Sequence, residues 1–351
     1  MQQCFNGILL NSNINTFSNN PKISVVIPVY NCQNTIKPAV RSIQNQNMAD
    51  VEIILVNDNS KDNTYKIIQE LKEEDLRIKV INNEKTMATL YSRNIGILHS
   101  KGEYILNLDN DDLFMNVDLF DALYNEAVRG NFDLVGFAAV ESYSYNPTIN
   151  QMKEAMFHDH KDGLTVYQPE LTYYPISQNN KYIQNDIHVW GRLTKSDIYK
   201  KAINNFGRNA IGEIRNSCFV TWAEDDAMSM IIYRYAKSYK FIRKYGIFHF
   251  LSNITSTHTS NDGLKKYGQL FSIDTVFDFS HNNPKGKKYS VQMLQGLIFS
   301  KIYNLYNQKN VRYLKAILNK ILNCQYISFE DKKEIKKNFD IVNSMKTKYL
   351  M

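Results

Sequence analysis

The sequence predicts an α/β fold: a mostly parallel sheet with flanking helices, followed by a helical C-terminal region. Three observations support this. From Ile23 to Ala139, short β-branched apolar runs alternate with segments of helical period, the signature of strands and helices taken in turn. The connections between them are short, as expected for parallel strands covered on both faces. From about Lys265 onward helical spacing dominates.

Element by element, Ile23–Pro28 (ISVVIP) reads as a strand buried on both faces. Thr35–Gln46 is helical, with Ile36, Ala39, Val40 and Ile43 on one side. Glu52–Val56 is a second strand, and Asn63–Leu71 a helix facing inward through Ile67, Ile68 and Leu71. Ile78–Ile81 is a third strand, Met87–His99 a helix closed by Lys101-Gly102, and Tyr104–Leu108 a fourth strand. Asp118–Val128 is a helix ended by Gly130, with Leu119, Leu123 and Val128 inward, and Leu134–Ala139 is a fifth strand. Residues 141–186 are less regular, with Thr165–Tyr174 read as a short insertion. His188–Ala202 is a strand or turn running into a helix. Trp222–Ala236 opens on Glu224-Asp225-Asp226 and becomes helical; ordinary capping is the alternative for that acidic group. Tyr239–Leu251 reads as strand, turn and strand, and Val291–Tyr306, Arg312–Asn323 and Glu330–Lys346 as helices. The division is a polar extension (1–20), one α/β domain (21–260) and a basic helical region (261–351).

Hydrophobic residues at 43% and aromatics at 12% support a real core and exclude a disordered chain. Cys4, Cys32, Cys218 and Cys324 are far apart with no C-x-x-C, which fits free thiols in a reducing compartment. No run approaches the length of a transmembrane helix, and residues 1–20 lack the basic and apolar regions of a secretory signal. A cytoplasmic location is expected. The net charge of +7 is uneven: His281–Met351 holds 14 Lys and Arg against 4 Asp and Glu. Contact with an anionic membrane through residues 281–351 is therefore an open alternative.

Parallel sheets bind ligands beyond the carboxyl ends of their strands. Those ends here are Pro28-Val29-Tyr30-Asn31, Asn57-Asp58-Asn59-Ser60 and Asp109-Asn110-Asp111-Asp112. An Asp-x-Asp alone is a weak signal, usually a solvated turn. At the end of a buried strand it suits a hard divalent cation shared with substrate phosphates.

The blocks SVVIPVYNCQNTI (24–36), VEIILVNDNSKDNT (51–64), SRNIGILHSKGEYILNLDNDDLF (92–114), HVWGRLTKSDIY (188–199) and WAEDDAM (222–228) make the chain resemble a family 2 glycosyltransferase of the Rossmann-like GT-A fold. The resemblance runs from about Ile23 to Thr257. It makes residues 21–140 the nucleotide-binding half and 141–260 the acceptor half.

By that resemblance, Pro28, Tyr30 and Asn31 wrap the nucleotide base. Asp58 accepts a hydrogen bond from it, a task suited to an acceptor-only carboxylate. The next family residue is usually glycine; Asn59 stands here and tolerates a left-handed turn. Ser60, Asp62 and Thr64 read as caps of the next helix. Arg93 and Asn94 match an Arg-Asn pair beside the diphosphate and sugar, with pairing of Arg93 to the acidic cluster as the alternative. Asp109 and Asp111 match the D-x-D motif, and Asn110 joins the nucleotide-sugar contacts. Asp109 meets ribose or a metal-bound water, Asp111 meets Mn²⁺ or Mg²⁺, and Asp112 shapes the site or approaches the sugar. Glu224-Asp225 matches the family's acidic pair on the acceptor side, with Asp225 the general base and Asp226 its rival. Trp190 and Trp222 line the acceptor side or pack in the core. For His249 and His258 the register is open and a structural role is the ordinary reading; His249 is carried as a third candidate metal ligand.

The implied function is metal-dependent inverting transfer of a hexosyl or N-acetylhexosaminyl group. The donor is a nucleoside-diphosphate sugar, with UDP first, and the acceptor a glycan, lipid-linked or other hydroxyl. A sugar nucleotidyltransferase usually needs a glycine-rich loop after the first strand, and PVYNCQ has no glycine. A non-catalytic nucleic-acid or membrane protein is the other rival. The tail has no nucleic-acid motif, so no nucleic-acid partner is expected. Tyr313, Ile317, Leu318 and Ile321 beside Lys315 and Lys320 favour packing on the catalytic domain over docking on lipid.

Overall fold

The computed structural model describes residues 20–144, 151–154, 161–168, 188–206, 224–251, 263–280 and 308–337, with single positions between and beyond the last two segments. Its strands are β1 (Ile23–Val29), β2 (Val51–Asn57), β3 (Ile78–Asn82), β4 (Tyr104–Asn107), β5 (Leu113–Phe114), β6 (Leu134–Ser142), β7 (Lys153–Glu154), β8 (Thr165–Tyr167), β9 (Arg192–Lys195) and β10 (Ser238–Phe250). They form one sheet in the order β3-β2-β1-β4-β9-β6-β10-β5, with β7 against β6 and β8 against β10. β3, β2, β1 and β4 are mutually parallel. β9 lies antiparallel between β4 and β6, and β6 runs parallel to β10. The expected mostly parallel sheet is present.

Its two faces come from alternation along the strands. Ile23, Val25, Ile27 and Val29 of β1 point into one core, together with α1 (Ile36–Gln44), α2 (Thr64–Glu74) and α4 (Leu119–Gly130). Val26 of β1 and Ile54 and Val56 of β2 point into the other. There they meet α3 (Ala88–His99), α5 (Ser196–Asn205) and α6 (Glu224–Tyr235). Two further helices, α7 (Gly263–Phe279) and α8 (Gln308–Leu322), continue this second core outward from α6. Gly96 lets α3 lie close to the sheet: a Cβ there would come within 2.5 Å of Val26 Cγ1.

Four expectations change. Val128 is 50% exposed and Ala127 takes the buried position on α4, because the helix continues in phase to Gly130. Its left-handed C-cap is Asn131, φ 48°, rather than Gly130, a conformation asparagine tolerates. Residues 238–250 are one strand, not two, since β6 offers a long partner and register shifts between Ile242 and Ile247 absorb the irregularity. Thr165–Tyr167 joins the sheet as β8. In the tail, α8 starts at Gln308 and a further helix spans 329–337; most of 291–306 lies outside the described residues. Tyr313, Ile317, Leu318 and Ile321 are buried in one core with Met228, Ile231 and Ile232 of α6, so packing holds. Among the described residues, no helix is long and apolar enough to cross a membrane, and Cys32 and Cys324 are free.

Candidate active site

Because β1, β2 and β4 are parallel, their carboxyl ends open on one edge. Pro28 is buried in β1, and its carbonyl accepts a hydrogen bond from Asn110 Nδ2 at 3.0 Å. Asn110 thus fastens the acidic turn to the first strand. Of the residues expected around the base, Tyr30, at 46%, and Asn31 are exposed.

The loops after β1 and β2 are cross-laced. Asn31, at φ 47°, donates its backbone N–H to Ser60 Oγ and accepts Lys61 N–H on its side chain. Cys32 N–H reaches Thr64 Oγ1, Gln33 N–H reaches Asp62, and Gln33 in turn accepts Asn63 N–H. So Ser60, Asp62 and Thr64 mainly staple two loops together. Only Asp62 also caps locally, taking Thr64 N–H. Asn59 sits at φ 60°, the turn foreseen for it.

Asp58 is buried and turned toward the start of α3. Its oxygens accept the N–H groups of Met87 and Ala88, each at 2.8 Å, and Asn83 Nδ2 at 2.7 Å. In this arrangement the carboxylate fixes the helix carrying Arg93 and Asn94. Ala88 takes φ 71° to make the contact. The Asn94 side-chain oxygen is buried with no hydrogen-bond partner among the described residues.

Arg93, with its side chain 3% exposed, joins the two acids predicted to work on opposite substrates. Its Nη2 donates to Asp109 Oδ1 at 3.0 Å, and its Nη1 to Asp225 Oδ1 at 2.9 Å. Asp225 stands in the first turn of α6. Burial raises its proton affinity; Arg93 opposes that and Asp109 adds to it. Glu224 begins the same helix, while Trp222 and His258 lie outside the described residues.

Asp112 is fully buried and accepts Phe250 N–H at 2.9 Å and His249 Nδ1 at 3.1 Å. Burial pulls the His249 imidazole down, but Asp112, with Asp109 and Asp111 behind it, carries it up to about 9. His249 stacks on Trp190 at 5.3 Å between centroids, and Trp190 on His188 at 4.9 Å. Trp190 is 2% exposed. It is a core residue wedged between two imidazoles, and its assignment to the acceptor side is corrected accordingly.

Beneath Asp225 lies a polar layer that no sequence motif marks. Asn107 Nδ2 reaches the Val189 carbonyl and Tyr199 Oη at 3.3 Å each. Arg192, 2% exposed, donates to Ser229 Oγ on α6 at 2.6 Å and lies over the Tyr233 ring. An arginine in a four-residue strand between Trp190 and Leu193 was the available signal.

Asp111 carries the surplus charge. Burial, Asp112 and Asp109 push its carboxyl up to about 7, with His249 opposing. Such crowding favours a hard cation, and carboxylate oxygens are the donors that Mn²⁺ and Mg²⁺ prefer. No group of three His, Cys, Asp or Glu able to hold a metal is gathered among the described residues. The expected trio is split because Asp109 shares Arg93 and His249 faces Asp112. Asp111 and Asp109 alone fit a cation whose other ligands come from phosphate and water.

A parallel α/β sheet with an acidic turn at its carboxyl edge and a second acid on a later helix defines a GT-A-type protein. Residues 24–203 match the profile of Glycosyl transferase family 2, and the chain belongs to that family. The glycosyltransferase GlyA of Streptococcus pneumoniae is 30% identical over 53% of this chain and 26% of its own length. The GalNAc(5)-diNAcBac-PP-undecaprenol β-1,3-glucosyltransferase of Campylobacter jejuni is 35% identical over 34% of this chain and 39% of its own. The chain therefore spans well under two thirds of these relatives. The crystal structure of S. aureus TarS residues 1–349 in complex with UDP aligns with a TM-score of 0.62 at 14% identity, covering 92% of this chain and 88% of that one; at that identity the likeness concerns the fold.

Proposed function

We propose that this chain transfers a sugar from a nucleoside-diphosphate donor, with UDP first, to an acceptor hydroxyl with inversion at C1. One observation carries the reading: a single buried guanidinium holds both Asp109 of the D-x-D turn and Asp225 of α6, so residues 116 positions apart share one site. In this reading the base lies against Tyr30, and the donor sugar meets Asn94, whose buried oxygen has no donor among the described residues. Asp225 removes the acceptor hydroxyl proton as its oxygen attacks C1 and the diphosphate leaves. Asp111 and Asp109 would hold Mn²⁺ or Mg²⁺, which when bound neutralises charge on the leaving group. A lipid-linked acceptor draws support from the name of the Campylobacter relative.

The test is Mn²⁺-dependent UDP release from UDP-glucose and UDP-N-acetylglucosamine. Asp225→Asn should lower turnover about 1,000-fold while Mn²⁺·UDP still binds within an order of magnitude of wild type. Full turnover in that variant sinks the base assignment.

For the basic tail, one observation favours contact with an anionic bilayer in addition to packing. On the helix at 329–337, Phe329 is 76% exposed, and Lys333, Lys336 and Lys337 are exposed with it. Salt-sensitive binding to phosphatidylglycerol vesicles, weakened about tenfold by Phe329→Ala, is the expected result. Equal binding by both forms removes the idea.

A further inference from the structure

We propose that Arg93 is a positioning residue that couples the donor subsite to Asp225, so that what occupies Asp109 sets how firmly Asp225 is held. The inference rests on the reading above, in which Asp109 faces the donor and Asp225 the acceptor.

The geometry is specific to arginine. One nitrogen of a planar fork serves each carboxylate, at 2.9 and 3.0 Å. A lysine ammonium is a single point charge and does not reproduce that two-sided hold. The guanidinium is also closely confined. Its side chain is 3% exposed, its helix is pressed on the sheet at Gly96, and the helix start is pinned by Asp58.

The charge balance supplies the coupling. Asp109 and Asp225 share one guanidinium, so any change of charge at Asp109 redistributes its attraction toward Asp225, and the reverse. The helix beneath Asp225 is tied separately, through Arg192 to Ser229. The response is therefore confined to the carboxylate and its guanidinium, with α6 held in place. Coupling of this kind is reciprocal: altering Asp225 must alter binding at Asp109, although Asp225 touches neither cation nor nucleotide in the proposed arrangement.

That reciprocity gives a test needing no acceptor. Mn²⁺·UDP affinity is measured by titration calorimetry on the full chain for wild type, Asp225→Asn, Arg93→Lys and the double variant. Thermal melting establishes that each is folded, and Arg93→Gln serves as a second probe of the same position. In wild type, Asp225→Asn should weaken Mn²⁺·UDP about five- to tenfold, because the attraction that Asp225 drew from the guanidinium is then felt more strongly at Asp109 and competes with the cation. In the Arg93→Lys or Arg93→Gln background the same change should alter affinity less than about twofold. A purely structural arginine, or a direct field from residue 225, gives the same loss in every background; that additivity overturns the inference and leaves the proposed function standing. Failure of folded wild type to bind Mn²⁺·UDP overturns both.

Discussion

The two edges of the sheet each carry a carboxylate, buried Glu52 at one and half-buried Asp111 at the other, and they are treated in opposite ways. At the amino edge, Glu52 of β2 accepts from Ser24 Oγ, the N–H groups of Lys101 and Gly102, and Lys79 Nζ. Burial pushes its carboxyl up, but Lys79, Ser24 and Lys101 outweigh burial and hold it below the ordinary range. At the carboxyl edge, burial and two neighbouring acids carry Asp111 up to about 7. One edge is compensated within the fold and serves stability. The other leaves Asp111 crowded by Asp109 and Asp112, and among the described residues His249 opposes that crowding only in part. An edge of that second kind costs stability and marks a site.

The contrast is open to experiment. Glu52→Gln should cost about 3 kcal/mol in urea denaturation, as expected when one partner of a buried pair is removed. Its pH profile should change with it. The folded Glu52 pKa is depressed, so its contribution is present above the ordinary glutamate range and is lost as pH falls through the lower folded value. That acid limb should flatten in Glu52→Gln. Asp111 has the other sign: its folded pKa lies above the ordinary 3.8, so stability declines as pH rises from there toward about 7. Asp111→Asn should therefore gain about 1 kcal/mol without ligand, most clearly at pH 8. The same variant should lose the Mn²⁺·UDP-induced rise in melting temperature; a variant that gains nothing and still responds would equate the two edges. Smallest is Ala88→Gly. Relief of the positive φ at the Asp58 contact should add about 0.5 kcal/mol by urea denaturation.

Much of the scaffold was legible in the sequence. Runs such as ISVVIP and EIILV have one good solution, a strand covered on both faces, and β1 and β2 are buried throughout. From those strands the convergence of Asp58, Asp109 and Asp111 on one edge follows. Local phase was less legible. Whether Ala127 or Val128 faces in depends on where α4 ends, and β10 looked broken because its bulges are absorbed by β6, about a hundred residues earlier in the chain. Side-chain direction was least legible. Asp58 is turned to α3 by backbone donors at Met87 and Ala88. Trp190 is buried in the core and stacked on two histidines. Both outcomes are set by tertiary packing that no local pattern encodes.

The core that α7 and α8 share with α6 bears on how such proteins diverge. The helix carrying Asp225 has one flank on the sheet and the other on the tail. Replacing residues 141–260 alone with those of a relative would pair a new helix with an old tail and leave Met228, Ile231 and Ile232 mismatched. A chimaera would then keep this core only if residues 141–260 and the C-terminal helices were exchanged together.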